Sequence, residues 1–210
     1  MERSKEIAKK LLEIKAVTIK DTSNLFTWAS GIKSPIYCDN RITMSYPEVR
    51  DAVAKEFKQI IKSQFPEAGI IAGTATAGIP HAAWVSQKMN LPMVYVRSSA
   101  KGHGKQNQIE GRLFEGKKVV LIEDLLSTGG SSMKAVKALR EAGADVIGVV
   151  AIFSYNFKKV EDLFKEENVE YRTITNYDVL LPLAAEMGYV KQDELELLKQ
   201  WSKEPYIFTK

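Results

Sequence analysis

The sequence predicts an α/β fold with a mainly parallel sheet, on three observations. Apolar segments of strand length alternate with segments of helical periodicity along most of the chain, the pattern of parallel strands joined by right-handed crossovers. Several strand segments are apolar throughout, as in Val119-Val120-Leu121-Ile122, which fits a sheet covered on both faces. No repeat, low-complexity tract or long linker interrupts the 210 residues. One domain over 1–210 is therefore expected, with a segment of about 1–45 and the C-terminal segment supplying a small accessory layer.

The elements follow in order. Ile7, Ala8, Leu11 and Leu12 share one face of an N-terminal helix. Ser45 and Glu48 have capping-box spacing, with Pro47 just inside, and Val49, Val53, Phe57, Ile60 and Ile61 then keep a helical period to about 64. Gly69-Ile70-Ile71-Ala72-Gly73 reads as a buried strand, Ala82 to Met89 as its helix, and Pro92-Met93-Val94-Tyr95-Val96 as the next strand. Between 97 and 116 the pattern fails in a polar stretch broken by Gly102, Gly104, Gly111 and Gly116. A loop that long inside a compact domain is usually functional or disordered. Beyond the 119–122 strand comes a helix through Met133, Val136 and Leu139, with Arg140 in its last turn and Gly143 as its stop. A strand over 145–153, a helix through Val160 and Phe164, a short strand over 171–175 and helices over 179–187 and 195–201 complete the chain.

Composition narrows the function classes. Hydrophobic residues make up 45% and charged residues 27%, near the globular average, which excludes a disordered chain. A chain this long buries about 70% of its unfolded surface. No run approaches the roughly 18 apolar residues of a membrane span, and the charged start Met1-Glu2-Arg3-Ser4-Lys5-Glu6 lacks the apolar run of a secretory signal. A soluble, cytoplasmic protein with no membrane partner is expected. One cysteine, Cys38, excludes an internal disulfide framework and a cysteine-cluster metal site, and two histidines argue against a histidine-rich centre. The net charge of +4 suits an anionic substrate or weak nucleic-acid affinity and decides neither.

In open parallel sheets ligands bind beyond the carboxyl ends of the strands. The most informative strand end is Val119-Val120-Leu121-Ile122-Glu123-Asp124-Leu125-Leu126-Ser127-Thr128-Gly129-Gly130-Ser131-Ser132. An apolar strand runs into two adjacent carboxylates, then a hydroxyl- and glycine-rich turn, then a helix. Glycines permit close backbone approach, and the free N–H groups at the helix start favour a phosphate. Ser127, Thr128 and Ser131 add hydroxyl donors, while Glu123 and Asp124 suit paired sugar hydroxyls or a Mg²⁺ ion reached through water. One site would then read a ribose and its 5-phosphate together. The run from Gly73 to Gly78 is no nucleotide-triphosphate loop, because Ile79-Pro80 stands where Lys-Ser/Thr is required, and no dinucleotide fingerprint follows any strand.

Residues 97–112 carry Arg97, Lys101, Lys105 and Arg112 against Glu110, net +3 with His103 neutral. A glycine-hinged, cationic segment after a strand end can close over an anion and exclude water. His103 is easier to explain there than in a core, whereas His81, at the start of a helix, reads as structural and Cys38 as a small packing residue. Phe26, Trp28 and Tyr37 stand without an accompanying basic stripe, so aromatic packing, not nucleic-acid stacking, is their expected role and no nucleic-acid partner is expected.

The acidic strand end with its Thr-Gly-Gly turn resembles the phosphoribosyl-diphosphate (PRPP) signature of type I phosphoribosyltransferases. Three further segments resemble the orotate phosphoribosyltransferase family. They are Phe26-Thr27-Trp28-Ala29-Ser30-Gly31-Ile32-Lys33-Ser34-Pro35-Ile36-Tyr37 at the N-terminus, Gly73 to His81 as the pyrophosphate loop, and Arg97-Ser98-Ser99-Ala100-Lys101-Gly102-His103-Gly104 as the catalytic loop. The similarity spans roughly 1–190. Ala29, Ser98 and Ser154-Tyr155-Asn156 depart from members that carry Lys or Arg there.

The resemblance implies the type I fold, a mainly parallel five-strand sheet flanked by helices with a hood from the chain ends. It implies transfer of ribose 5-phosphate from PRPP to orotate, giving orotidine 5′-monophosphate and pyrophosphate in pyrimidine biosynthesis, with Mg²⁺ held mainly by PRPP and water and not directly by the protein. Arg97, Lys101 and His103 would stabilise the leaving pyrophosphate and bind PRPP. Glu123 and Asp124 would hold the ribose hydroxyls, Leu125, Leu126, Ser127, Thr128, Gly129, Gly130 and Ser131 would cradle the 5-phosphate, and Ser127 would also reach orotate. A homodimer whose catalytic loop enters the neighbour's site is implied as well. The alternatives are a phosphoribosyltransferase for another base, or a non-catalytic PRPP-binding regulator on the same fold.

Overall fold

The computed structural model describes residues 2–20, 22–28, 31–99 and 108–209. Its central sheet is built from β5 (Ala68–Thr74), β6 (Met93–Val96), β7 (Ile109–Glu110), β8 (Lys118–Leu126), β9 (Asp145–Ser154) and β10 (Tyr171–Asn176) in the order β10-β9-β8-β5-β6-β7. All neighbours pair in parallel except β7, which runs antiparallel to β6 through Tyr95–Glu110 and Val96–Ile109. The sheet thus has one strand more than expected. Two residues are too few to give a period, so β7 is invisible as a pattern, and only Ile109, buried against the sheet, marks it.

Helix α3 (Gly78–Met89) carries the chain from β5 to β6, and α4 (Gly130–Glu141) from β8 to β9. The first crossover steps towards one edge and the second towards the other. With right-handed crossovers they lie on opposite faces, and the order of connection reverses between the adjacent strands β5 and β8. That reversal opens a crevice beyond the carboxyl ends of these two strands, the usual ligand position in such sheets. Helices α1 (Glu2–Glu13) and α2 (Pro47–Gln64) join α3 in one layer, and α5 (Lys158–Glu166) and α6 (Tyr177–Glu186) flank β10 in the chain.

The strand interiors are apolar because both faces are covered. Ile70, Ile71, Ala72, Val119 to Ile122 and Val149 to Phe153 are all fully buried. Helix α2 buries Val49, Val53, Ala54, Phe57 and Ile61 on one stripe. Its expected capping box does not form. Ser45 ends a 3-10 helix over Asn40–Ser45, Tyr46 is the cap residue without a side-chain bond, and Pro47 with its preset φ starts the helix. Helix α4 ends as expected, with Gly143 at φ +84° donating to the Arg140 carbonyl at 2.9 Å.

The chain ends meet over the crevice. Two small antiparallel ladders, β1 (Val17–Ile19) with β4 (Ile36–Cys38) and β2 (Phe26–Thr27) with β3 (Lys33–Ser34), form a hood with α7 (Leu195–Lys203). Trp201 Nε1 donates to the Lys33 carbonyl at 3.1 Å, and Thr22 N donates to Glu194 Oε1 at 3.1 Å. Trp201 is fully buried and meets Trp28 edge-on, with ring centroids 5.8 Å apart.

Helix α3 presses onto the sheet at glycines. A Cβ on Gly78 would stand 2.5 Å from the Ile122 carbonyl oxygen, and one on Gly73 would stand 2.9 Å from Ala82 Cβ. At Gly69 the nearest atom is instead the flexible end of Lys117, at 3.0 Å. Gly78→Ala is expected to cost about 1–3 kcal/mol in denaturant unfolding, as overpacking against backbone does. Gly69→Ala should stay within about 0.5 kcal/mol because Lys117 can move aside. Equal costs at the two positions would contradict the close contact at Gly78.

Candidate active site

Three cavities adjoin along the carboxyl edge of the sheet. The first, about 340 Å³, lies between the ends of β5 and β6 and the start of α4, bordered by Thr74, Arg97, Ser98, Ser131 and Lys134. The second, about 390 Å³, shares Ala75 and Ser131 with it and is bordered by Asp39, Arg41, Thr76, Glu123 and Asp124. The third, about 480 Å³, shares Cys38 and Leu125 with the second and is walled by Trp28, Tyr37, Tyr155, Ser127 and Thr128. The crevice therefore offers a cationic end, an acidic middle and an aromatic end.

At the acidic middle, strand pairing continues through Leu126, so Glu123 and Asp124 sit within β8 and their side chains alternate across it. Glu123 is only 4% exposed. Its Oε1 accepts from Asp124 N at 3.1 Å, and its Oε2 accepts from Ser132 Oγ at 2.9 Å and from Ser131 Oγ at 3.4 Å. Burial first, and then the adjacent Asp124 carboxylate, push Glu123 up to about 8. Burial also raises Asp124, which is half-buried. The two carboxylates are thus inequivalent: Glu123 braces the start of α4, and Asp124 is the one open to the crevice.

The turn after β8 divides between two roles. Leu126 is fully buried, and its carbonyl accepts from Ser154 Oγ at 3.2 Å and Tyr155 N at 3.4 Å, so it anchors the turn to the core. Gly129 caps α4 at φ +77°, and a Cβ there would stand 3.1 Å from Phe164 Cε2. With no side chain at the cap, the first N–H groups of α4 are left for an anion. Ser127 and Thr128 border the aromatic cavity, while Ser131 faces Glu123.

At the cationic end, Arg97 N donates to the Gln108 carbonyl at 2.8 Å. Arg97 Nη1 is buried 3.9 Å from Glu110 Oε1, without a hydrogen-bond partner among the described residues. Thr74 Oγ1, on the same cavity, is likewise buried without one. Lys101 and His103 lie outside the described residues, as does Ala29.

Two cations here escaped the sequence reading. Arg41 is clamped by Asp39, with Nε to Oδ1 at 2.6 Å and Nη2 to Oδ2 at 2.8 Å, and it borders the Asp124 cavity. Lys134 stands on the first turns of α4, facing Arg97 across the first cavity. Arg41 lies in a segment with no apolar period or motif to single it out, and Lys134 resembles any exposed helix lysine. His81 is fully buried against Trp84, and burial holds its imidazole down at about 4, hence neutral, in keeping with a structural role. The aromatic expectation holds in the hood, where Trp28 packs 4.8 Å from Tyr155 and 6.0 Å from Phe157, although Trp28 and Tyr37 also wall the third cavity.

A crevice of this kind, on this sheet order, defines a class. Residues 44–179 match the phosphoribosyl transferase domain family. Among solved structures, the orotate phosphoribosyltransferase of Aeropyrum pernix superposes with a TM-score of 0.76 at 24% identity, over 88% of this chain and 99% of that one, a likeness of fold. Leishmania donovani UMP synthase superposes with a TM-score of 0.78 at 29% identity; the match covers 94% of this chain, which spans 42% of that longer protein. The orotate phosphoribosyltransferase of Listeria innocua is 57% identical over 210 residues, 100% of both chains, and that of Staphylococcus haemolyticus is 58% identical over 94% of this chain and 98% of its own. The chain belongs to the orotate phosphoribosyltransferase family.

The buried Glu123 makes stability depend on pH. Its native value, about 8, lies above the ordinary 4.5, so between these values the native state holds a proton that the unfolded chain has released. The resulting stabilisation is complete below about 4.5 and is lost as pH rises through about 8. Glu123→Gln should therefore flatten the fall in unfolding free energy across that window, measured by urea titration at a series of pH values. An unchanged slope would assign the pH dependence elsewhere.

Proposed function

We propose that the three cavities hold one molecule of PRPP and one of orotate in series. The protein is an orotate phosphoribosyltransferase, a pentosyltransferase of pyrimidine biosynthesis. Its reaction moves ribose 5-phosphate from PRPP to N1 of orotate, releasing pyrophosphate. The observation that carries the assignment of residues is the order of the crevice itself: cations, then paired carboxylates and a bare helix start, then an aromatic slot, all at the reversal between β5 and β8.

Pyrophosphate belongs at the cationic end. Arg97 borders the first cavity and Arg41 the adjoining second, the turn over 74–77 lines both, and the family resemblance implies that Lys101 and His103 of the catalytic loop act with them. Breaking the C1–O bond leaves positive charge on the ribose and negative charge on pyrophosphate. Fixed cations stabilise the leaving group as its charge develops, which is electrostatic catalysis. His103 or Lys101 is the candidate to give it a proton. Asp124 takes the ribose hydroxyls with Glu123 behind it bracing the start of α4, and the turn from Leu125 to Ser131 takes the 5-phosphate there. Orotate lies in the slot of Trp28, Tyr37 and Tyr155, with Ser127 as a polar contact.

The donor set fits magnesium. Asp124 offers a hard carboxylate oxygen at the crevice that would reach the ion through water, so PRPP oxygens and water would supply its direct ligands. When bound, Mg²⁺ neutralises the diphosphate. The enzyme is further proposed to act in the cytoplasm as a homodimer whose catalytic loop serves the neighbour's site. No helix among the described residues is long and apolar enough to cross a membrane.

Orotate consumption followed with and without PRPP and Mg²⁺ tests the activity directly; consumption that ignores PRPP would overturn it. Asp124→Asn should raise the KM for PRPP about tenfold or more in a folded protein, because a charge-assisted contact to the ribose is lost. Arg41→Ala should raise it about threefold to tenfold, the smaller effect of a solvent-screened guanidinium, with the KM for orotate unchanged. Arg41→Ala without effect on PRPP would remove Arg41 from the site.

The shared site has its own test. With PRPP held well below the raised KM values, Lys101→Ala and Asp124→Asn homodimers should each be nearly inactive. After subunit exchange, mixed dimers hold one site with both defects and one intact site. Activity should rise towards about one quarter of wild type at one-to-one mixing, as two-fold symmetry requires. No recovery after verified exchange would place each loop in its own chain's site.

A further inference from the structure

We infer that Asn40 is a positioning residue that sets the height of Asp124 in the crevice and ties it to the helix behind the pyrophosphate turn. The inference rests on the PRPP reading above. Asn40 is fully buried, as are Thr43 and His81. Asn40 Nδ2 donates to the backbone carbonyl of Asp124 at 2.6 Å. On the other side of the amide, Oδ1 accepts from Cys38 Sγ at 3.3 Å. The amide can sit only one way round, because it meets a carbonyl on one side and a thiol on the other. Burial and the nearby Asp124 and Asp39 carboxylates raise the thiol, so it stays protonated and remains a donor.

The link continues through the backbone. The Asn40 carbonyl accepts from Thr43 Oγ1 at 2.6 Å, and Thr43 Oγ1 lies 3.4 Å from His81 Nε2. His81 stands on the first turn of α3, directly after the turn over 74–77. One chain of buried polar groups thus runs from the strand end that carries the acidic pair to the helix that carries the pyrophosphate turn. Asp124 at one end, and the turn over 75–77 that leads into the helix at the other, border the same cavity. Parallel pairing joins β8 to β5 only as far as Ile122 with Gly73, so beyond that register no ladder holds Asp124 to the β5 side. The Asn40 amide takes over where that ladder stops. Asn40 itself is fully buried, so its amide is held by these bonds and the Asp124 carbonyl has it as a fixed donor.

The test compares Asn40→Asp and Thr43→Val with Asp124→Asn in the full-length enzyme. The Asn40→Asp change keeps the volume and turns an acceptor towards the Asp124 carbonyl. It should raise the KM for PRPP about tenfold, the equivalent of one lost buried bond, and shrink the rise in Tm that saturating PRPP produces. The KM for orotate should stay within about twofold. Thr43→Val cuts the link farther from the site and should raise the KM for PRPP about twofold to threefold. Loss of Tm in the free Asn40→Asp protein with an unchanged KM for PRPP would make Asn40 merely structural and overturn the inference. So would equal losses for PRPP and orotate. If Asn40→Asp does not fold, an unchanged KM for PRPP in Thr43→Val overturns it. If Asp124→Asn is itself without effect, the PRPP reading fails and the inference falls with it; if only Asp124→Asn has an effect, the reading stands and the inference alone fails.

Discussion

Everything at the crevice depends on two parallel strands that are neighbours in space and whose onward connections part company. Because the crossovers after β5 and β8 leave in opposite directions, no helix covers the gap between their carboxyl ends. The strands can come that close to their helices only because Gly73 and Gly78 carry no Cβ. The opening is thus a product of topology, and the side chains that line it are whatever the two strand ends and the N-terminal segment deliver there.

What they deliver is a gradient of chemistry over adjoining cavities. Low solvent access makes charge expensive at Glu123, which answers by holding a proton and accepting from two serines and a backbone N–H. Asp124, one residue on, stays nearer to solvent and to Arg41. Two adjacent carboxylates of the same strand so acquire different settings from their surroundings alone, one bracing a helix and the other facing the crevice.

The sequence made the sheet legible because its strands are buried on both faces and its helices are not. Long periodic elements such as α2, and the uninterrupted apolar run of β8, could be read to within a few residues. The acidic pair and the glycine turn were legible for a different reason, since residues of that kind have little cause to follow a buried strand. What remained hidden depends on three-dimensional neighbours. Ser45 had the spacing of a cap but was already committed to a 3-10 turn. The edge strand β7 was too short for a pattern. Arg41 and Asn40 sit in a segment with no period, and their importance comes from β8, more than eighty residues away in sequence. The inward turn of Glu123 could not be told from the outward openness of Asp124, because alternation along a strand says nothing about which face meets the ligand.

The hood carries an optical consequence. The sequence contains three tryptophans. Trp201 is sealed within the hood, Trp84 stands beside His81 on α3, and only Trp28 walls a cavity of the crevice. Trp28 also contacts Trp201 edge-on and packs on Tyr155, so its excited state is coupled to a rigid aromatic cluster. A flat, electron-poor ring bound in that slot, as proposed above, would have the indole as one of its walls. Intrinsic emission should therefore report occupancy of the slot without any added label. That signal should vanish in Trp28→Phe and persist in Trp84→Phe, which gives the enzyme a built-in gauge of base binding separate from turnover.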